Sequence, residues 1–109
     1  MNDEKQEVVL DEFETPYSET AAIEHRGKSK SYIFSELLES DFDQAMDESD
    51  KKISFSDRLV VASVTDIDGT RFTIERLKKM PRAIAAKIQM KALLVNGYSE
   101  EAEKAAGES

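Results

Sequence analysis

Leu59-Val60-Val61-Ala62-Ser63-Val64-Thr65 is the stretch on which the fold of this chain turns. Its valines and threonine branch at Cβ and favour extended backbone, and the Asp66-Ile67-Asp68-Gly69 that follows reads as a turn. On that reading the stretch is one arm of a hairpin and residues 71–75 are the other. The competing reading is a helix: Ser56-Asp57 supplies a start signal, and Val60, Val64 and Ile67 keep helical spacing. Pattern alone leaves the two even.

Downstream, Phe72-Thr73 leads into Ile74, Leu77 and Met80, a short helix capped by Thr73 and ended before Pro81. Proline suits the first position of the next helix, where its missing amide has no partner to lose. That helix, residues 81–96, carries apolar side chains on two faces at ~100° per residue. One stripe collects Ile84, Ala85, Ile88, Ala92 and Val95; the other, nearly opposite, collects Ala83, Met90 and Leu94. A small domain closes its core with one stripe, so the second is available to another chain. Met90, Leu93 and Leu94, flanked by Lys87 and Lys91, are the candidate surface for a partner or for self-association, with methionine able to repack against varied contacts. Gly97 followed by Tyr98 forms a C-terminal stop.

Upstream, residues 21–25 and 30–34 flank Arg26-Gly27-Lys28-Ser29, and Ser31-Tyr32-Ile33-Phe34 has strand character, so a hairpin with a four-residue connection is predicted. Ser35 or Ser40 can cap a following helix rich in early acids, in which Leu38, Phe42 and Met46 repeat at helical spacing and read as core. Residues 47–52 form a charged linker. The resulting expectation is an α+β fold, mostly α: a small N-terminal β-hairpin followed by about four helices. Residues 1–20 are an acidic, mobile N-terminal arm whose apolar run at residues 8–10 can add an edge strand, 21–98 are a single globular domain, and 99–109 are a polar tail.

A chain of 109 residues fits one domain and buries ~65% of its unfolded surface. Its 39% hydrophobic and 35% charged content implies a modest core. No window supplies the ~18 to 20 apolar residues of a membrane span, and the acidic N-terminus does not read as a secretion signal, so a cytoplasmic protein is expected. Zero cysteines remove disulfides, thiolate catalysis and cysteine zinc sites together. The net charge of −8 is unevenly placed: residues 1–57 carry net −10, residues 58–109 net +2, and residues 71–91 alone net +6. A basic stretch can bind nucleic acid, but here the acidic half would repel phosphate across a Debye length of ~8 Å. Complementarity within the molecule, or between copies, fits better.

Chemistry finds little support. Placing Asp66 and Asp68 at positions 3 and 5 of a calcium loop puts Gly69 at 6 and Glu75 at 12. The same register puts Val64 where the first carboxylate belongs and Arg71 where an apolar residue belongs, so an acidic turn held by aspartate-to-backbone bonds is expected instead. His25, the single histidine, has no nucleophile to activate, and the four glycines form no phosphate loop. No catalytic residue, metal or cofactor is assigned.

The order of features resembles the tail assembly chaperones of long-tailed bacteriophages. The likeness runs over residues 28–98: a lysine-rich turn into Ser31-Tyr32-Ile33-Phe34-Ser35-Glu36-Leu37, then 59–65 into Asp66-Ile67-Asp68-Gly69, then Phe72-Thr73 with Leu77, and a helix closing in Val95-Asn96-Gly97. The resemblance implies a small, mostly helical, non-enzymatic protein of the infected host cytoplasm that is absent from the finished virion. It implies homo-oligomers, binding of the tape measure protein, assistance to tail tube protein, and in many members a frameshifted longer product. It also implies that residues 59–65 are helical. The alternative reading is a small acidic regulator or adaptor that binds another protein or, through the basic 71–91 segment, nucleic acid.

Overall fold

The computed structural model describes residues 13–47 and 53–98. The apolar run at residues 8–10, linker residues 48–52 and the tail at 99–109 lie outside the described residues. In chain order the elements are β1 (Ser18–His25), β2 (Lys28–Ser35), α1 (Glu39–Met46), α2 (Phe55–Ser63), β3 (Val64–Asp66), α3 (Ile74–Lys78) and α4 (Arg82–Val95). The strands form one antiparallel sheet in the order β1-β2-β3. This is a small α+β fold with a hairpin at its start, and the third strand extends the two expected.

The deciding stretch is divided between its two readings. Helix α2 begins at the Ser54 cap, whose hydroxyl accepts the Asp57 amide at 3.2 Å, and runs through Ser63. Leu59 and Val60 are fully buried on its inner face. The Ser63 hydroxyl donates back to the Leu59 carbonyl at 2.6 Å, a local bond that competes with helix continuation. Val64 then takes extended backbone (φ −117°, ψ 138°) and pairs with Phe34, so its branched side chain is buried in the sheet without a loop between helix and strand. The expected second arm at 71–75 contracts to an Asp66 amide donating to Thr70 and one bridge from Thr65 to Arg71. Beyond it, Thr73 caps α3 as predicted, accepting the Arg76 amide at 3.1 Å.

The hairpin is tighter and longer than its sequence suggested. His25 and Lys28 pair directly, leaving a two-residue turn of Arg26 (φ 54°) and Gly27 (φ 80°) in place of the four-residue connection. Two successive positive φ angles are what a short hairpin turn needs to match the twist of its strands. β1 starts at Ser18, inside the stretch assigned to the mobile arm. Neither Ser35 nor Ser40 caps α1: Ser35 ends β2, Ser40 lies within the helix, and Leu38 stands at the cap without a side-chain bond. Nor is α1 core. It packs chiefly on α2, its Phe42 and Met46 lie at the core margin, and Leu38 remains 48% exposed.

The core lies between one sheet face and the helices. Tyr32 and Phe34 from β2 meet Leu59 and Val60 of α2, Phe72 and Leu77 near α3, and Ile88, Ala92 and Leu93 of α4. The Tyr32 ring is 5.5 Å from that of Phe72. Pro81 precedes the first helical residue of α4, one place earlier than expected, with its carbonyl accepting the Ile84 and Ala85 amides. The stop is as expected: Gly97 sits at φ 96°, its amide donates to Leu94, and the Tyr98 amide donates to Leu93 at 2.9 Å.

Asn96 ties this helix end to the sheet. Its side-chain amide donates to the carbonyls of Ser35 and Ala92, both at 3.0 Å, and its oxygen accepts the Leu37 amide at 2.9 Å. At about 1 kcal/mol per bond, Asn96→Ala is expected to lower unfolding free energy by about 2 to 3 kcal/mol, read as a reduced denaturant midpoint with an unchanged slope.

Candidate functional site

Helix α4 presents its two stripes as unequal surfaces. Ala85, Ile88 and Ala92 are buried, with Ile84 and Val95 packed at the margin. On the opposite side Ala83 is exposed, Leu94 is 41% exposed and Met90 is half-buried. The open stripe therefore exists with the three residues read from the sequence, but the partner surface assigned around it is smaller by one. Leu93, assigned to the partner surface, is 3% exposed and belongs to the core. The cause is that α4 packs on α2 as well as on the sheet, so a position on its flank is also covered.

Lys87 and Lys91 both reach back to β1. Lys87 donates to the Glu24 carbonyl at 2.7 Å, and Lys91 pairs with Glu19 at 2.6 Å, both on β1. The Lys91 ammonium, together with the Tyr17 hydroxyl, holds the Glu19 carboxyl below its usual range, while Glu19 raises the Tyr17 phenol. Much of the remaining basic segment is likewise engaged. Arg76 bonds Asp66, Lys78 pairs with Asp57 at 3.5 Å, Lys79 with Glu75, and Arg82 donates to Gln89. The uneven charge of the sequence is thus resolved in part by pairing between its two halves.

Two polar clusters stand near the core. Asp57, 6% exposed, accepts the Gln89 side-chain amide at 2.6 Å, which joins α2 to α4. Asp66 receives both Arg76 guanidinium nitrogens, at 2.8 and 2.9 Å, and Lys30 at 3.6 Å. The guanidinium also lies 4.1 Å from the centre of the Phe72 ring. Fork geometry over an aromatic face is the arrangement arginine makes and lysine does not. These oxygens are therefore bonded to a cation of the chain itself. Asp68 accepts the Thr70 amide at 3.0 Å, the expected acidic turn. Among the described residues no group of three or more histidine, aspartate or glutamate side chains is placed to hold a metal ion. His25 is half-buried at the end of β1 and lines a shallow depression with Lys28, Ser29 and Lys30.

Sequence reasoning missed an aromatic cluster at the C-terminal end of α4. The Phe55 ring lies 6.0 Å from Phe42 and 5.5 Å from Tyr98, both edge-on, and Phe55 itself is 41% exposed. Tyr98 enters this cluster from beyond the Gly97 stop, where the chain has left the helix. A groove of about 360 Å³ between α1, α2 and α3 is lined by Ala45, Val61, Ala62 and Ile74 together with Arg58 and Arg71.

The Arg76 guanidinium holds the Asp66 carboxyl below the ordinary aspartate value of about 3.9, so the pair stabilises the fold above that pH and loses its contribution as pH falls through the depressed folded value. Asp66→Asn is expected to cost about 1 to 2 kcal/mol at neutral pH, with the difference from the parent shrinking below about pH 4 in denaturant titrations. Comparison with protein-family models, curated proteins and solved structures found no match for this chain.

Proposed function

We propose that this chain is a non-enzymatic tail assembly chaperone of a long-tailed bacteriophage. It self-associates in the host cytoplasm, binds the tape measure protein while the tail is built, and helps tail tube subunits polymerise around it. The observation that carries the reading is the outward stripe of α4: Ala83 and Leu94 exposed, Met90 half-buried, and none of the three part of the core formed by the described residues. The resemblance over residues 28–98 supplies the identity of the client.

A long helical client offers repeated apolar contacts, and a narrow apolar stripe with an adaptable methionine suits a weak, exchangeable grip. Covering about 400 Å² of apolar surface would give about 10 kcal/mol before association costs, which leaves a micromolar contact that can be released when tube subunits arrive. Leu38, Phe55 and Leu94, each more than 40% exposed, are adaptable contact points of the same kind. The acidic half of the chain limits indiscriminate sticking through repulsion of other acidic proteins.

The test is suppression of aggregation of a long amphipathic helical polypeptide of the tape measure type. Leu94→Glu, and Met90→Glu with Leu94→Glu, are expected to weaken suppression at least tenfold while shifting the melting temperature by no more than a few degrees. A folded double variant that suppresses as well as the parent would remove the stripe from client binding.

A further inference from the structure

We propose that the outer edge of β1 is a self-pairing surface on which a second copy of this chain adds its own β1, antiparallel, to give one continuous sheet of six strands. This deepens the self-association in the function proposed above: copies meet at the sheet edge, and the α4 stripe stays open for the client.

The two edges of the sheet are treated differently. β3 has three residues, and its outer side is covered by the chain's own return, the Asp66 amide donating to Thr70 and Thr65 bridging Arg71. β1 has eight residues, no proline, and an unbroken register with β2 from Ser18–Ser35 to His25–Lys28. The Glu36 amide donates to the Tyr17 carbonyl, so Tyr17 and every second residue after it face β2 with their backbone groups. Ser18, Thr20, Ala22 and Glu24 therefore turn their amides and carbonyls outward. Among the described residues these groups have one partner, the Lys87 ammonium on the Glu24 carbonyl at the far end. A long, regular, uncovered edge is a template for another strand.

Geometry and charge select a second β1 as that strand. Residues paired across antiparallel strands share a face, so the core-facing Glu19, Ala21, Ile23 and His25 must meet their own kind in the partner. A twofold axis through Ala22 does this with the outward groups in register. It sets Glu19 against the partner's His25, twice, and Ala21 against the partner's Ile23. Each carboxylate then faces an imidazole that can donate to it. An axis through Ala21 would instead set each carboxylate against isoleucine. On the open face, Thr20 meets the partner's Glu24. Small side chains at positions 20, 21 and 22 let the two copies approach at strand spacing.

Because the chain has no cysteine, a single introduced thiol reads the register directly. Across the axis, Ala22→Cys places two Cα atoms about 5.5 Å apart, within disulfide range. Thr20→Cys lies four residues from its own copy along the paired strands, about 14 Å. Under mild oxidation of the full chain, Ala22→Cys is expected to form covalent dimer at least ten times faster than Thr20→Cys. Adding Thr20→Pro to Ala22→Cys, which deletes an outward amide and leaves the pairing with β2 intact, should lower its rate to that of Thr20→Cys alone while circular dichroism stays unchanged. Equal rates for the single variants Ala22→Cys and Thr20→Cys overturn the proposal, as does an Ala22→Cys rate that the added proline leaves unchanged. Client suppression that survives in the absence of cross-linking would leave the chaperone reading standing and remove the edge pairing; cross-linking without suppression would do the reverse.

Discussion

The junction between Ser63 and Val64 is the constraint on which the rest of the structure depends. A helix and a strand meet there with no intervening loop, so the orientation of α2 is set by the sheet and the placement of β3 is set by the helix. Val64 pairs with Phe34 on one side and continues the burial of Leu59 and Val60 on the other. With α2 fixed, the remaining helices have defined places to pack: α1 and α3 against α2, and α4 across α2 and the strands. A substitution that let α2 run on through Val64 would move a fully buried side chain away from Phe34 and open the centre of the core.

This junction also explains which parts of the fold were legible. The hairpin, the Thr73 cap, the closed and open stripes of α4 and its Gly97 stop follow from local pattern, because each depends on residues within one or two turns of chain. The stretch at residues 59–65 carried both helical and extended signals because it contains both structures, and a single assignment for all seven residues had to fail. Caps at Ser35 and Ser40 failed for another reason: Ser35 was already committed to pairing with Ser18, a partner 17 positions away that a local pattern does not reveal.

The candidate surface shows the same boundary between local and distant information. Periodicity identified Ala83, Met90 and Leu94 as a separate face, and they do lie outward to differing degrees. It could not place Leu93, whose burial is decided by α2, nor foresee that Lys87 and Lys91 reach back to β1. The Phe42, Phe55 and Tyr98 cluster joins three elements and leaves no mark in any one of them. Charge was more informative. The separation of acids and bases along the chain foreshadowed contacts between its halves, although the sequence did not name the pairs.

Asn96 reaches back 59 and 61 positions to bond Leu37 and Ser35, and Lys87 reaches back 63 to Glu24. During synthesis the hairpin is therefore made long before the helix that covers its inner face. Until Asn96 has been added, Ala21, Ile23 and Tyr32 lack their lid, and the nascent polypeptide must pass through a stage with this greasy surface uncovered. Completion of the structure is thus postponed until late in translation, and the ribosome-bound intermediate, rather than the finished molecule, is the form most exposed to misassembly.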